Sequence, residues 1–198
     1  MPKQLFSKDL RKGLLDHFEK KDASREELNR ITRKIIRSCG EIIRNTHSGK
    51  DSSKLLKETK KLVKDVKTIS KGYIDLFHGG MVQNAFQEYG EACVFIALIQ
   101  KKNIPTPRSL GITESSYMLG LGDVIGELRR ETLLELRRHD VQKAYGYLDM
   151  MEELYGMIME FNYPSGVLNI RHKQDVARSL IEKSRGELVI AEASWGGK

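Results

Sequence analysis

The sequence predicts an all-α protein, a bundle of about seven mostly long, antiparallel helices. Apolar residues recur at spacings of three and four along most of the 198 residues, and no stretch alternates polar and apolar residues as a strand does. With 39% hydrophobic residues and four prolines, the chain can bury a substantial core. We therefore expect one helical domain over residues 1–198, ending in a frayed tail at residues 192–198.

Three amphipathic helices are predicted in the N-terminal part of the chain. The first spans residues 5–20 and carries apolar residues at helical spacing. Ser24 and Glu27 form a capping-box pattern, which predicts the start of a second helix that runs to about residue 45. A third helix, rich in lysine, follows over residues 53–70.

Four further helices are predicted in the rest of the chain. The first, over residues 81–102, is apolar on every side in its second half, which is typical of a covered helix. A turn with two prolines separates it from a long helix over residues 114–138. Helices over residues 141–162 and 167–192 complete the bundle.

Several classes of protein are disfavoured by composition. No apolar run reaches the roughly 18 residues of a membrane helix, and the N-terminal residues do not resemble a signal peptide. Cys39 and Cys93 lie in apolar surroundings without metal-ligand spacing, which indicates buried thiols in a reducing compartment. We expect a cytoplasmic protein that does not enter the membrane.

The net charge of +7 is unevenly distributed. Residues 1–71 hold 20 lysines and arginines against 10 acidic residues. On the predicted second helix, basic side chains occupy the face opposite the apolar residues, and the guanidinium fork of arginine suits phosphate oxygens. This pattern predicts a nucleic-acid-binding face, although a lysine- and arginine-rich face can also serve solubility alone. Its residues are Arg30, Arg33, Lys34, Arg37 and Arg44.

Two predicted helices each carry a pair of carboxylates on one face. Glu88 and Glu91 are three residues apart in the covered helix, and Asp123 and Glu127 are four residues apart in a later one. The second pair lies among three glycines, which each cost about 0.8–1 kcal/mol in a helix relative to alanine. Such a cost is understandable where a backbone or a ligand approaches closely.

Oxygen ligands without converging histidine or cysteine suit Mg²⁺ or Mn²⁺. Such an ion can activate water and neutralise the charge that develops in phosphoryl chemistry. The same acids could instead be surface residues, or ion-pair partners of Arg129 and Arg130. A glycosidase would need more aromatic residues than the 7% present, and a di-iron bundle would need Glu-x-x-His pairs at these acids.

The two acidic segments resemble the paired signatures of the translin superfamily. Residues 87–92 read QEYGEA and residues 120–128 read GLGDVIGEL, and the match is closer to the translin-associated factor X (Trax) branch than to translin itself. The resemblance covers roughly residues 20–190. The short connection between the acidic helices and the absence of basic extensions are typical of a prokaryotic, archaeal-type member.

This resemblance implies a fold, an activity and an assembly. Proteins of the Trax branch are catalytic subunits of an endoribonuclease that forms a hollow octamer with nucleic acid inside. Carried over by motif, Glu88, Glu91, Asp123 and Glu127 take the catalytic and metal-ligand places. The resemblance also favours the basic face, with Arg129 and Arg130, as phosphate contacts.

Two hypotheses about function follow. The first is a Mg²⁺-dependent (or Mn²⁺-dependent) endoribonuclease that cleaves single-stranded or short RNA and assembles with itself, as an octamer in the resemblance. The second is a translin-like protein that binds single-stranded RNA or DNA without cleaving it. Because translin lacks part of the acid quartet, its presence here favours the enzyme.

Overall fold

A computed structural model describes residues 6–195 of the chain. Over that range the chain forms helices and no strand, so the all-α prediction is confirmed. The helices are α1 (Lys8–His47), α2 (Ser53–Ile69), α3 (Ile74–Phe77), α4 (Gly80–Ile99), α5 (Pro107–Leu110), α6 (Glu114–Arg137), α7 (Val141–Met159) and α8 (Arg171–Trp195).

The predicted break between the first two helices is wrong, because α1 is continuous. Ser24 does not cap a helix; its hydroxyl donates a hydrogen bond of 2.9 Å to the Lys20 carbonyl within α1. Glu27 does not complete a capping box either, and its carboxylate accepts a hydrogen bond of 2.7 Å from Arg30. Neither proline nor glycine interrupts the chain between Gly13 and Gly40, so nothing forces the helix to end.

The later boundaries need smaller corrections. The single turns α3 and α5 were not predicted. Helix α8 begins at Arg171 and continues to Trp195, so the first four residues of the predicted tail 192–198 are helical, and residues 196–198 lie outside the described range. Of the apolar residues along α8, Leu188 is buried, whereas Val176 and Ile190 are exposed.

Helices α4 and α6 form the centre of the bundle. Helix α4 packs against α1 and α6, and α6 packs in turn against α7 and α8. Phe86, Tyr89 and Phe95 of α4 are almost completely buried, as are Cys39 and Cys93 nearby in the core. The two acidic motifs therefore lie on the pair of helices with the most protein around them.

The ends of the helices use ordinary capping. Thr113 accepts a hydrogen bond from the Ser116 backbone at the start of α6, and Asp140 accepts one from the Lys143 backbone at the start of α7.

No helix within residues 6–195 combines the length and the apolar character that crossing a membrane requires.

Candidate active site between the central helices

Helices α4 and α6 approach each other closely at a glycine. A Cβ atom at Gly120 would lie 2.8 Å from the Gln87 carbonyl oxygen and 3.0 Å from the Glu91 amide nitrogen. A Cβ atom at Gly122 would similarly lie 2.8 Å from the side chain of Lys173 on α8. The close approach that the glycine-rich segment predicted is therefore present at two of its three glycines.

We expect Gly120→Ala to destabilise the protein by about 1–3 kcal/mol, because the new methyl group would collide with the α4 backbone. Gly126→Ala is the matched control, since a Cβ atom there meets only a Leu180 methyl group at 4.0 Å. Alanine is also the better helix former, so the control should be neutral or stabilised by up to about 1 kcal/mol. Urea unfolding of both variants measures the difference. Equal stabilities would show that α4 and α6 are not in close contact.

All four predicted carboxylates belong to one electrostatic cluster. The pKa of Glu91 is raised to about 8, mainly by burial and then by the negative charges of Asp123, Glu88 and Glu127, in that order of importance. Burial and the charges of Asp123 and Glu127 also raise the pKa of Glu88. The fold therefore brings the two sequence pairs together, which spacing within each helix could not establish.

The Asp123 carboxylate is held from both sides. Gln87 of the first acidic motif donates a hydrogen bond of 2.6 Å to its Oδ2 atom. The ammonium group of Lys173, on α8, forms an ion pair with its Oδ1 atom. The charge of Lys173 also opposes the rise in the pKa values of Glu88 and Glu91, so it acts on the acids of α4 as well as on Asp123.

A buried histidine holds the other end of the cluster. His47, at the end of α1, contacts Oε2 of Glu127 with its Nε2 atom at 2.5 Å and Oε1 of Glu131 with its Nδ1 atom. Its ring packs against Phe95 with centroids 4.8 Å apart. Burial works to lower the pKa of His47, but the hydrogen bonds to the two glutamates outweigh it, and the pKa is raised. His47 therefore fixes the orientation of Glu127 between α1 and α6.

The donor atoms of the cluster suit a hard cation. When all four carboxylates are ionised, one ammonium group and one shared histidine leave an excess of negative charge. In residues 6–195, no three His, Cys, Asp or Glu side chains are already arranged to hold a metal ion. Mg²⁺ keeps several of its waters and needs only one or two carboxylates beside a substrate phosphate. The carboxylate oxygens present are therefore the donor type that such an ion takes.

We expect the metal-free protein to lose stability as the pH rises from about 5 to 9. The pKa of Glu91 is about 8 in the folded chain and near 4.5 when exposed. Its contribution is complete below the lower value and is lost as the pH rises through the higher one. At 1.36 kcal/mol per pKa unit the loss is roughly 3–5 kcal/mol. His47, whose pKa is also raised, acts in the same direction.

Thermal unfolding in EDTA across this range tests the expectation. The Tm of Glu91→Gln should fall less steeply with rising pH than the Tm of the unchanged protein. Glu153 is exposed, so the Tm of Glu153→Gln should depend on pH as steeply as that of the unchanged protein. Parallel profiles for all three proteins would mean that Glu91 is not held in a buried acidic cluster.

The basic face of α1 is exposed, as predicted. The five side chains Arg30, Arg33, Lys34, Arg37 and Arg44 all lie on the surface. Arg30 pairs with Glu27, and Arg33 donates a hydrogen bond of 3.1 Å to the Asn29 carbonyl.

The two arginines of α6 differ from each other. Arg129 is largely covered, and its guanidinium binds Ser184 and Glu187 of α8, each at 2.8 Å. Arg130 is exposed and lies 3.9 Å from Glu127. Arg129 is therefore not the ion-pair partner of the acid quartet, and only Arg130 of the two approaches it.

The sequence of the chain matches a known family over most of its length. The model of the translin family matches residues 23–185. The chain belongs to the translin family. It is also 33% identical over 177 residues to the uncharacterized protein MJ0175 of Methanocaldococcus jannaschii, a match that covers 89% of this chain and 80% of that one.

Solved structures share the translin-family fold seen here. The structure of AfC3PO in complex with duplex RNA has a TM-score of 0.86 and 27% identity, and covers 94% of this chain and 98% of that one. A crystal structure of AfC3PO has a TM-score of 0.84 and 28% identity, with coverages of 93% and 97%. Apo-NeC3PO, at 22% identity, shares the fold with a TM-score of 0.83 and coverages of 94% and 98%. The predicted resemblance is confirmed.

Sequence reasoning missed three residues that this translin-family chain brings to the acids. The sequence argument for oxygen-only ligation assumes that no histidine converges on the acids, and the contact of His47 with Glu127 corrects that premise. Lys173 and Glu131 had no distinguishing pattern around them. His47 and Glu127 are 80 residues apart in sequence, and Lys173 and Asp123 are 50 apart, so no local spacing could pair them.

Proposed function

We propose that this translin-family protein is a Mg²⁺-dependent endoribonuclease that cleaves single-stranded or short RNA. The observation that carries the proposal is the single cluster formed by Glu88, Glu91, Asp123 and Glu127 between α4 and α6. Buried like charges of this kind destabilise the folded chain unless a cation compensates them. A bound divalent cation would supply that compensation and could coordinate a substrate phosphate at the same time.

The four carboxylates would hold Mg²⁺, or Mn²⁺ in its place. When bound, such an ion lowers the pKa of a coordinated water and stabilises charge on the phosphate. Glu91, whose pKa is raised to about 8 in the metal-free chain, would be favoured in its deprotonated, metal-binding form by a nearby cation. His47 keeps Glu127 oriented, and Gln87 keeps Asp123 oriented, so both carboxylates are held before substrate arrives.

Basic groups lie next to this acidic cluster. At roughly 100° per residue, Arg33, Arg37 and Arg44 follow the flank of α1 adjacent to His47. Arg130 lies beside Glu127 on α6, and Lys173 lies at Asp123. An RNA strand bound along α1 would therefore reach the acids at the end of the helix, with Lys173 and Arg130 near its phosphate.

The other three predicted basic residues are assigned smaller parts in RNA binding. Two of them, Arg30 and Arg129, already have acidic partners, and the third is Lys34.

The relatives support RNA as the partner. AfC3PO, which shares the fold at 27% identity, forms a complex with duplex RNA. The assay substrates should therefore include both single-stranded and short duplex RNA, with single-stranded DNA as a further arm. We also propose that the protein self-associates, as the resemblance to an octameric family implies.

Binding of Mg²⁺ is expected to stabilise the protein. At a concentration 100 times the dissociation constant, a ligand that binds only the folded chain adds about 2.7 kcal/mol. Mg²⁺ should therefore raise Tm, and EDTA should reverse the rise. Asp123→Asn should abolish the rise, whereas Asp149→Asn, a change at an exposed acid on α7, should retain it. An identical rise in both variants would place the bound ion elsewhere.

The alternative is a nucleic-acid-binding protein without nuclease activity. The Lys173–Asp123 ion pair favours it, because an ammonium group can compensate the acids without a metal. Cleavage of end-labelled RNA with Mg²⁺, and its loss in EDTA, separates the two functions. RNA that binds and stays intact under both conditions would establish the alternative.

A further inference from the structure

The N-terminal part of α1 projects from the bundle with an uncovered apolar face. Every residue from 6 to 20 is exposed. Its contacts with the rest of the described chain are slight: Lys21 pairs with Asp75 at 2.6 Å, and the His17 ring lies at the edge of Tyr73. We call residues 6–22 the projecting segment.

Five large apolar side chains line one side of the projecting segment. They are between 49% and 68% exposed and border a shallow groove of about 340 Å³. A contiguous patch of this kind marks an interaction surface rather than ordinary solvent-exposed surface. Its residues are Phe6, Leu10, Leu14, Leu15 and Phe18.

The charges beside this face are arranged in a self-complementary order. At roughly 100° per residue, four charged residues fall on the same flank of the helix as Leu15: Lys8, Arg11, Glu19 and Asp22. The two basic residues precede Leu15 and the two acidic residues follow it, at nearly equal separations. Turned end for end about Leu15, a second copy would present acids to these bases and bases to these acids.

We propose that the projecting segment is a self-association surface, on which α1 of one chain packs antiparallel against α1 of a second copy. The apolar faces would meet near Leu14 and Leu15, and Lys8 and Arg11 of each chain would face Asp22 and Glu19 of the other. A parallel pair would set like charges at the same height, which destabilises helix pairing.

The size of the surface limits what it does alone. The helical part of this segment, residues 8–22, is about 22 Å long, which is short for an interface that must bury about 1,200–2,000 Å². The contact therefore joins chains within a larger assembly. It rests on the proposed self-association of the chain, but not on nuclease activity.

Sedimentation velocity of the full chain tests the surface. Leu14→Glu places a charge in the apolar face. It should lower the association constant of the assembly at least tenfold, measured at micromolar protein concentration. Ile190→Glu is the matched control, because Ile190 is 68% exposed on α8, and it should leave the assembly unchanged. Circular dichroism checks that both variants stay folded.

A charge-reversal series tests the antiparallel arrangement. Arg11→Glu and Glu19→Arg should each weaken the assembly, and the double variant should restore it, since each chain then presents the opposite order. Failure of this rescue would overturn the pairing of α1 with α1. Equal effects of Leu14→Glu and Ile190→Glu would overturn the surface. A monomeric unchanged protein would also overturn the proposed self-association, while RNA cleavage would remain separately measurable.

Discussion

Glu91→Gln and Asp123→Asn are each expected to reduce the rate of RNA cleavage by about a thousandfold or more. Each change removes one carboxylate from the acidic cluster while preserving the volume of the side chain. Loss of metal-based stabilisation is worth several kcal/mol, and each 1.36 kcal/mol is tenfold in rate. RNA binding should stay within a fewfold of the original, because these side chains do not belong to the basic face.

Single-turnover cleavage of labelled RNA, with gel-shift binding in parallel, measures both effects. Asp149→Asn changes the same group on the exposed surface of α7 and should cleave normally. If either site variant cleaved at the rate of the unchanged protein, the four-carboxylate site would not be the active site. If binding fell together with cleavage, the acids would act in substrate binding rather than in the chemical step.

Arg33→Glu combined with Arg37→Glu is expected to weaken RNA binding by about 10- to 100-fold at low salt. Both side chains are exposed on the α1 flank that leads to His47. Removal of one phosphate-binding cation should lower the slope of log affinity against log salt by about 0.7–0.9. For the two arginines together, the slope should therefore fall by about 1.5 in a titration of salt.

Lys57→Glu combined with Lys61→Glu is the matched control, because it makes the same change in net charge on the exposed side of α2. Equal weakening of binding in both double variants would indicate a general effect of net charge. Undiminished binding in the α1 variant would mean that the basic face serves solubility.

The cluster also explains why the protein tolerates costly features in its centre. Gly120 and Gly122 destabilise helix α6 relative to alanine. They allow the α4 backbone and the Lys173 side chain to lie close to α6. Glu91 loses solvation on burial, and the neighbouring acids raise its pKa further, to about 8. Both features are understandable if the site was selected for chemistry rather than for stability.

The order of amino acids is enough to show which residues share a helix face. Periodicity placed Glu88 with Glu91, Asp123 with Glu127, and the arginines of α1 opposite its apolar side, because side-chain direction repeats every 3.6 residues. It also indicated the fold class, and the two acidic motifs indicated the family. The predicted boundary at Ser24 was wrong because a capping pattern is weak evidence, and α1 continues through it without a helix breaker.

Which of these faces meet depends on the packing of the folded chain. The contact of His47 with Glu127 and that of Lys173 with Asp123 join residues 80 and 50 positions apart. Such contacts follow from how whole helices pack, which is the sum of many weak interactions and leaves no local pattern. The acidic pairs were therefore predictable from the sequence. The histidine and the lysine that contact them were identified only from the folded chain.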